Sequence, residues 1–196
     1  PNIAVRLVGE INTNLCALLE DGEIDLAIAP LPVTPPTVKT EDFYQEEYVL
    51  AVSKAVLARL GIGPGSPALA QIQSGNLSPL QSCPFVLAAK EESNGNFGYD
   101  LLRRWGIVPI PRIEVRRTTV QTELVLAASG LGACFVPKNM IHPSLKPEQE
   151  AALEIFPLGE SARHMIHFGY LKQTYHWSVI SEFIRLAQEM SGTFST

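Results

Sequence analysis

The sequence predicts an α/β fold, and three observations carry that prediction. Short apolar runs without a polar face, IDLAIAP (24–30), CPFVLAA (83–89) and GACFVP (132–137), read as buried strands of the kind a largely parallel sheet needs. Between them lie segments whose apolar residues recur at helical spacing. Gly22, Gly106 and Gly130 stand just past the last periodic residue of such segments, where a left-handed residue ends a helix.

Taken in order, residues 3–8 (Ile3 to Val8) alternate as a strand does, and Asn12 or Thr13 can cap a helix with Leu15, Leu18 and Leu19 on one face. Gly22 ends that helix and residues 24–30 follow as a strand, which together reads as a βαβ crossover. A proline-rich loop then leads to a strand from Tyr48 to Val52 and a helix from Lys54 to Leu60. GIGPG (61–65) is a turn, because it lacks the Lys-Ser/Thr of a phosphate loop and does not open a helix after a strand. Residues 66–82 form a loop with a short helix, and residues 83–89 a strand. KEESNGNF (90–97) enters a helix through Leu101, Leu102 and Trp105, closed by Gly106. Ile113 to Val115 are a strand, and Thr118 or Thr119 caps the helix VQTELVLAAS (120–129), which Gly130 ends. In GACFVP (132–137), Gly132 permits close helix-to-strand packing and Pro137 stops the strand. RHMIHFGYL (163–171) is the last strand, and Tyr175 to Met190 a helix with Trp177, Ile180, Ile184 and Ala187 at helical spacing.

Composition narrows function. At 196 residues, 46% hydrophobic and 18% charged, the chain can bury a core and accommodates two closely connected lobes. A net charge of −5 opposes binding to a phosphate backbone by this segment. No apolar run approaches the roughly 20 residues of a membrane span, and Pro1-Asn2-Ile3 does not open a signal peptide. Cys16, Cys83 and Cys134 are scattered and odd in number, which favours a reducing cytoplasm over a disulfide framework.

LLEDGEIDLAIAP (18–30), YVLAVSK (48–54), PFVL (84–87) and LVLAASGLGACFVP (124–137) occur in the order and approximate spacing of the effector-binding domain of LysR-type transcriptional regulators. The chain resembles that family over nearly its whole length, and DGEIDLAI together with SGLGACFVP makes the resemblance specific. It implies a type 2 periplasmic-binding-protein-like fold: two Rossmann-like α/β lobes, two crossover strands and an effector cleft between the lobes. On that pattern residues 1–52 and 166–196 form lobe I, with its first strand and helix missing, and residues 53–165 form lobe II. Residues 61–82 are longer than the usual connection in the family. The resemblance further implies a small-molecule effector, a homodimer or homotetramer, and contact with promoter DNA through an amino-terminal helix-turn-helix domain that this sequence does not contain. A solute-binding protein of a transport system is the alternative on the same fold.

Candidate site residues follow from where ligands bind in open α/β sheets, beyond the carboxyl ends of the strands. Ser93 and Asn94 open a helix after one strand, and Thr118 and Thr119 open another. Simple capping would serve the same residues equally well. Arg117, with Arg116, offers a partner for a carboxylate, although such arginines are usually solvated. Pro30 and Leu31 follow a crossover strand and line the hinge side. Two helix starts aimed at one crevice favour an anionic ligand. No catalytic constellation is found: AASGLG lacks the first glycine of a nucleophile elbow. His164 and His167, three apart on a strand, point to opposite faces and cannot chelate one metal. Neither an enzyme, a cofactor nor a metal is predicted.

Overall fold

The computed structural model describes residues 3–10, 12–90, 92–108, 111–116, 119–172 and 178–191, the side chains of residues 12, 13, 93–95, 111 and 112 excepted. The chain divides into two compact units, Pro1–Gln45 with Met165–Thr196, and Glu46–His164. It passes from one to the other within two strands, β2 (Val38–Ser53) and β7 (Arg163–Leu171). The first unit adds α1 (Asn12–Glu20), β1 (Ala27–Ala29) and α8 (Ser178–Ser191). The second holds, in chain order, α2 (Lys54–Arg59), α3 (Pro67–Gln73), β3 (Phe85–Ala88), α4 (Ser93–Arg104), β4 (Pro111–Val115), α5 (Val120–Ala128), β5 (Ala133–Pro137), α6 (Ile141–Ser144), α7 (Pro147–Ala151) and β6 (Leu153–Pro157).

In the first unit, α1 places Leu15 and Leu19 against Ala27, Ala29, Leu31 and Val38, and Gly22 at φ 71° ends the helix as its position predicts. β1 runs antiparallel to β7, with Ala27 opposite Gly169 and Ala29 opposite His167. Gly169 has to be glycine, since a Cβ there would lie 2.6 Å from Leu31 Cδ1. Phe168 is fully buried, with the ring of Phe43 at 4.4 Å and that of Phe183, from α8, at 6.5 Å.

The second unit is a mixed sheet in the order β6–β2–β5–β3–β4. β2 is antiparallel to β5 and β6, and β3 is parallel to β5 and β4. The strand period of two divides its core into two layers. Leu50, Val52, Phe85, Leu87 and Phe135 pack with Leu101 and Leu102 of α4 on one face. Val49, Ala51, Val86, Ala88 and Val136 pack with Leu124 and Ala127 of α5 on the other. Apolar on both faces, these strands read as continuous apolar runs, which is why they were legible.

Four expectations need correction. Residues 3–8 form no strand, and Ile3, Val5, Leu7 and Val8 stay exposed. A strand exists only where a ladder partner takes its N–H and C=O groups, and none pairs here. The βαβ crossover is accordingly not formed among the described residues, and IDLAIAP gives only a three-residue antiparallel β1 with Ile28 47% exposed. Gly132 serves a strand rather than a helix: a Cβ there would lie 2.7 Å from the Pro84 carbonyl oxygen. The units divide after Gln45 rather than after Val52, because Tyr48 to Ser53 are laddered on both sides, by β5 and β6.

Candidate functional site

The carboxyl edge of the second unit is built by two adjacent parallel strands. Ala88 at the end of β3 lies opposite Val115 at the end of β4, and the Ala89 N–H donates to the Val115 carbonyl at 2.9 Å. Each strand leads within five residues into a helix. After β3 the Glu92 N–H bonds the Ala89 carbonyl at 2.8 Å, turning the chain so that Ser93 and Asn94 become the first two residues of α4. After β4, Thr119 adopts extended backbone (φ −95°, ψ 153°) as the N-cap of α5. The two helix starts therefore issue from one edge of the sheet. First-turn N–H groups lack intrahelical acceptors and carry the positive end of the helix dipole, so such an edge suits an anion.

The capping chemistry differs from the sequence expectation. Thr119 occupies the N-cap position but its side chain makes no capping bond; its hydroxyl is exposed, 3.5 Å from the Thr122 hydroxyl. Nor does the side chain of Glu92, the N-cap of α4, make one. Arg117 and Thr118 lie outside the described residues, as do the side chains of Ser93 and Asn94. Arg116 is engaged already, holding the Glu114 carboxylate through Nε at 2.8 Å and a terminal nitrogen at 2.7 Å. The carboxylate of Glu123, 3% exposed, is buried in the first turn of α5, where the dipole favours it. An acid in a first turn is a readable signal, but burial at that place is not.

In the first unit Pro30 and Leu31 follow β1. Pro30 is half-buried, and the Leu31 side chain is a core residue under Gly169 rather than a lining residue. What Leu31 presents is its backbone: its N–H donates to His167 Nδ1 at 3.4 Å, while His167 Nε2 stands 3.6 Å from Asp42 Oδ1. His167 entered the sequence argument only as a failed metal ligand, and no motif marks this use of it.

His164 packs edge-on to Tyr48 at 5.4 Å and to Phe97 at 5.0 Å; its Nε2 is buried without a partner, and burial lowers its pKa. Burial pushes the Cys83 thiol up to about 12 and that of Cys134 well above 9.0; Cys16 is raised too. Among the described residues no three His, Cys, Asp or Glu side chains are grouped to hold a metal ion, and no helix is long and apolar enough to cross a membrane. A cavity of about 320 Å³ on the flank of α4, lined by Lys90, Tyr99, Asp100, Arg103 and the 106–108 turn, contains none of the expected site residues.

Residues 1–192 match the LysR substrate binding domain family. Among solved structures the chain resembles the Corynebacterium glutamicum OxyR C206 mutant (24% identity, TM-score 0.67), with 92% of this chain and 52% of that one covered. It also resembles the reduced form of the regulatory domain of OxyR2 from Vibrio vulnificus (20% identity, TM-score 0.66), covering 92% of this chain and 78% of that one. The effector binding domain of a BenM variant is similar too (20% identity, TM-score 0.65), with 93% and 80% covered. The chain thus spans about half the length of the C. glutamicum protein.

Proposed function

This chain belongs to the LysR substrate binding domain family, with the type 2 periplasmic-binding-protein-like α/β fold of that family, and we propose that it senses a small anionic effector at the carboxyl edge of its second unit. The observation that carries this reading is the pair of helix starts, at Ser93 and at Val120, that follow the adjacent ends of β3 and β4. Backbone N–H groups and two dipole ends converge there, and Ser93, Asn94, Thr118 and Thr119 add hydroxyl and amide groups to hold a carboxylate or sulfate. Arg117, two residues before Thr119 in the sequence, is the cationic partner proposed for such a ligand. The signal passes to promoter DNA through a helix-turn-helix domain elsewhere in the full regulator, which acts as a homodimer or homotetramer in the cytoplasm. Membership of this family favours a regulator over a transport solute-binding protein, and no enzymatic step is invoked.

A thiol-based reading, raised by the "reduced form" in which the V. vulnificus domain is described, has little support here. All three cysteines have raised pKa values, so little thiolate is available to react.

The test is a thermal-shift screen of small mono- and dicarboxylates and sulfate, followed by calorimetric titration of the best ligand. Affinity should fall about tenfold in Thr119→Ala, the worth of one charge-assisted hydrogen bond, with the melting temperature of the free protein unchanged. Full affinity in a Ser93→Ala/Thr118→Ala/Thr119→Ala triple variant would place the site elsewhere.

A further inference from the structure

Three elements of the first unit meet at one imidazole. The Leu31 N–H, just past β1, donates to His167 Nδ1 at 3.4 Å, and His167 Nε2 faces Asp42 Oδ1 of β2 at 3.6 Å. The donor pattern fixes the tautomer: a ring that accepts at Nδ1 carries its proton on Nε2, directed at the carboxylate. The Asp42 backbone is itself held, since its carbonyl accepts from Gln188 Nε2 of α8 at 3.2 Å.

We propose that His167 is a positioning residue whose protonation decides whether the Leu31 N–H is held within the fold or released. A neutral ring accepts that N–H. An imidazolium has no acceptor, so a proton arriving at Nδ1 replaces the N–H···N bond with two donors facing each other. The new charge is attracted to the Asp42 carboxylate, whose Oδ1 stands 3.6 Å from Nε2. The part-buried Leu31 N–H then has to take another acceptor, either water or a bound anion. Protonation thereby turns the end of β1 from a closed strand terminus into a pair of donors, Leu31 N–H and imidazolium Nδ1–H, receptive to a carboxylate or sulfate.

The surroundings isolate this device. Among the described contacts Asp42 is the charged group that meets the ring; Leu31 brings none from the β1 side, and α8 contributes the neutral Gln188. The other polar group on these two strands, Lys39 with Glu41 and Tyr170, lies on the opposite strand face: Tyr170 is three residues from His167, and Glu41 is one from Asp42. The Leu31 side chain cannot follow its N–H outward freely, because it is seated under Gly169. The response is confined to the backbone at Leu31.

This inference stands apart from the effector reading, since Leu31, Asp42 and His167 all belong to the first unit, and its test needs no effector, so either can fail without the other. Amide proton–nitrogen spectra and hydrogen exchange of Leu31 would be followed against pH, together with the ring protons of His167 in the same samples. In the wild type the Leu31 amide shift should move with the ring titration. Its protection, corrected for intrinsic exchange, should fall about fivefold to tenfold as the ring gains its proton, as expected for loss of one hydrogen bond. His167→Asn keeps an acceptor near the Nδ1 position without titrating, and should leave Leu31 protected with a flat profile. His167→Leu should leave it unprotected at every pH. A Leu31 amide that ignores the ring titration in the wild type, or that is equally protected in His167→Asn and His167→Leu, would overturn the proposal.

Discussion

At Gly130 the backbone has φ 82°, with Ser53 Oγ 3.8 Å and Ala55 Cβ 3.9 Å from where a Cβ would stand, so the constraint is conformational rather than steric. At Gly132 it is steric, since the Pro84 carbonyl would be 2.7 Å from the added carbon. Gly130→Val should therefore destabilise the domain by at least about 1 kcal/mol, the penalty of a β-branched residue at positive φ. Chemical denaturation at unchanged m-value checks it; an unaltered midpoint would mean that the helix end tolerates a side chain. His164 yields a prediction in pH. Burial lowers its folded pKa from the ordinary 6.5, so the unfolded chain binds the proton first as pH falls. Its contribution is intact above 6.5 and is lost as pH drops below that value toward the folded pKa. Denaturation midpoints of the wild type should decline on this side more steeply than those of His164→Phe, which keeps the packing on Tyr48 and Phe97 but does not titrate. Parallel declines would mean that other groups carry the acid sensitivity.

Capping separates elements that look alike in sequence. Ser53 caps α2 in fact, its Oγ accepting the Ala55 N–H at 3.2 Å, and Ser66 caps α3 by accepting the Leu69 N–H at 3.2 Å. Thr119 stands in the same position on α5 without such a bond. Ser53→Ala, at a residue only 2% exposed, should cost about 1 kcal/mol or more in stability, while Thr119→Ala should stay within about 0.5 kcal/mol. Equal costs in urea titration would mean that the Thr119 hydroxyl caps its helix in solution. That contrast gives the candidate site its test value, because a threonine that contributes little to folding can be removed to measure its part in ligand binding.

For the whole chain, the net charge of −5 and the burial of Cys83 and Cys134 set the expectations. Without a basic surface the isolated chain should give no sequence-specific shift of duplex DNA at physiological salt; a salt-sensitive specific complex would contradict this. Toward a disulfide reagent at neutral pH, the half-buried Cys16 should react first, with Cys83 and Cys134 following only on unfolding. Three fast-reacting thiols in the folded protein would show that the second unit opens readily.

The sequence by itself determined the elements whose side chains are enclosed on both faces. β3 and β5, with α4 and α5 and their closing glycines Gly106 and Gly130, lie where continuous apolar runs and helical periodicity put them, because burial on both sides leaves one reading of the pattern. β6 escaped it: Leu153–Pro157 is a short strand of uneven burial, and its pairing with β2 is a long-range fact. Residues 3–8 misled for the converse reason, since alternation describes a strand's faces but cannot supply its partner. The neighbourhood of the two helix starts could be anticipated from the order of strands and helices. Only the tertiary structure turned the Leu31 side chain into the core, left the Thr119 hydroxyl exposed and making no capping bond, and set the His167 ring between Leu31 and Asp42. Those outcomes depend on contacts between residues as much as 136 positions apart, formed when strands distant in the chain are laddered together, and no local pattern of residues encodes them.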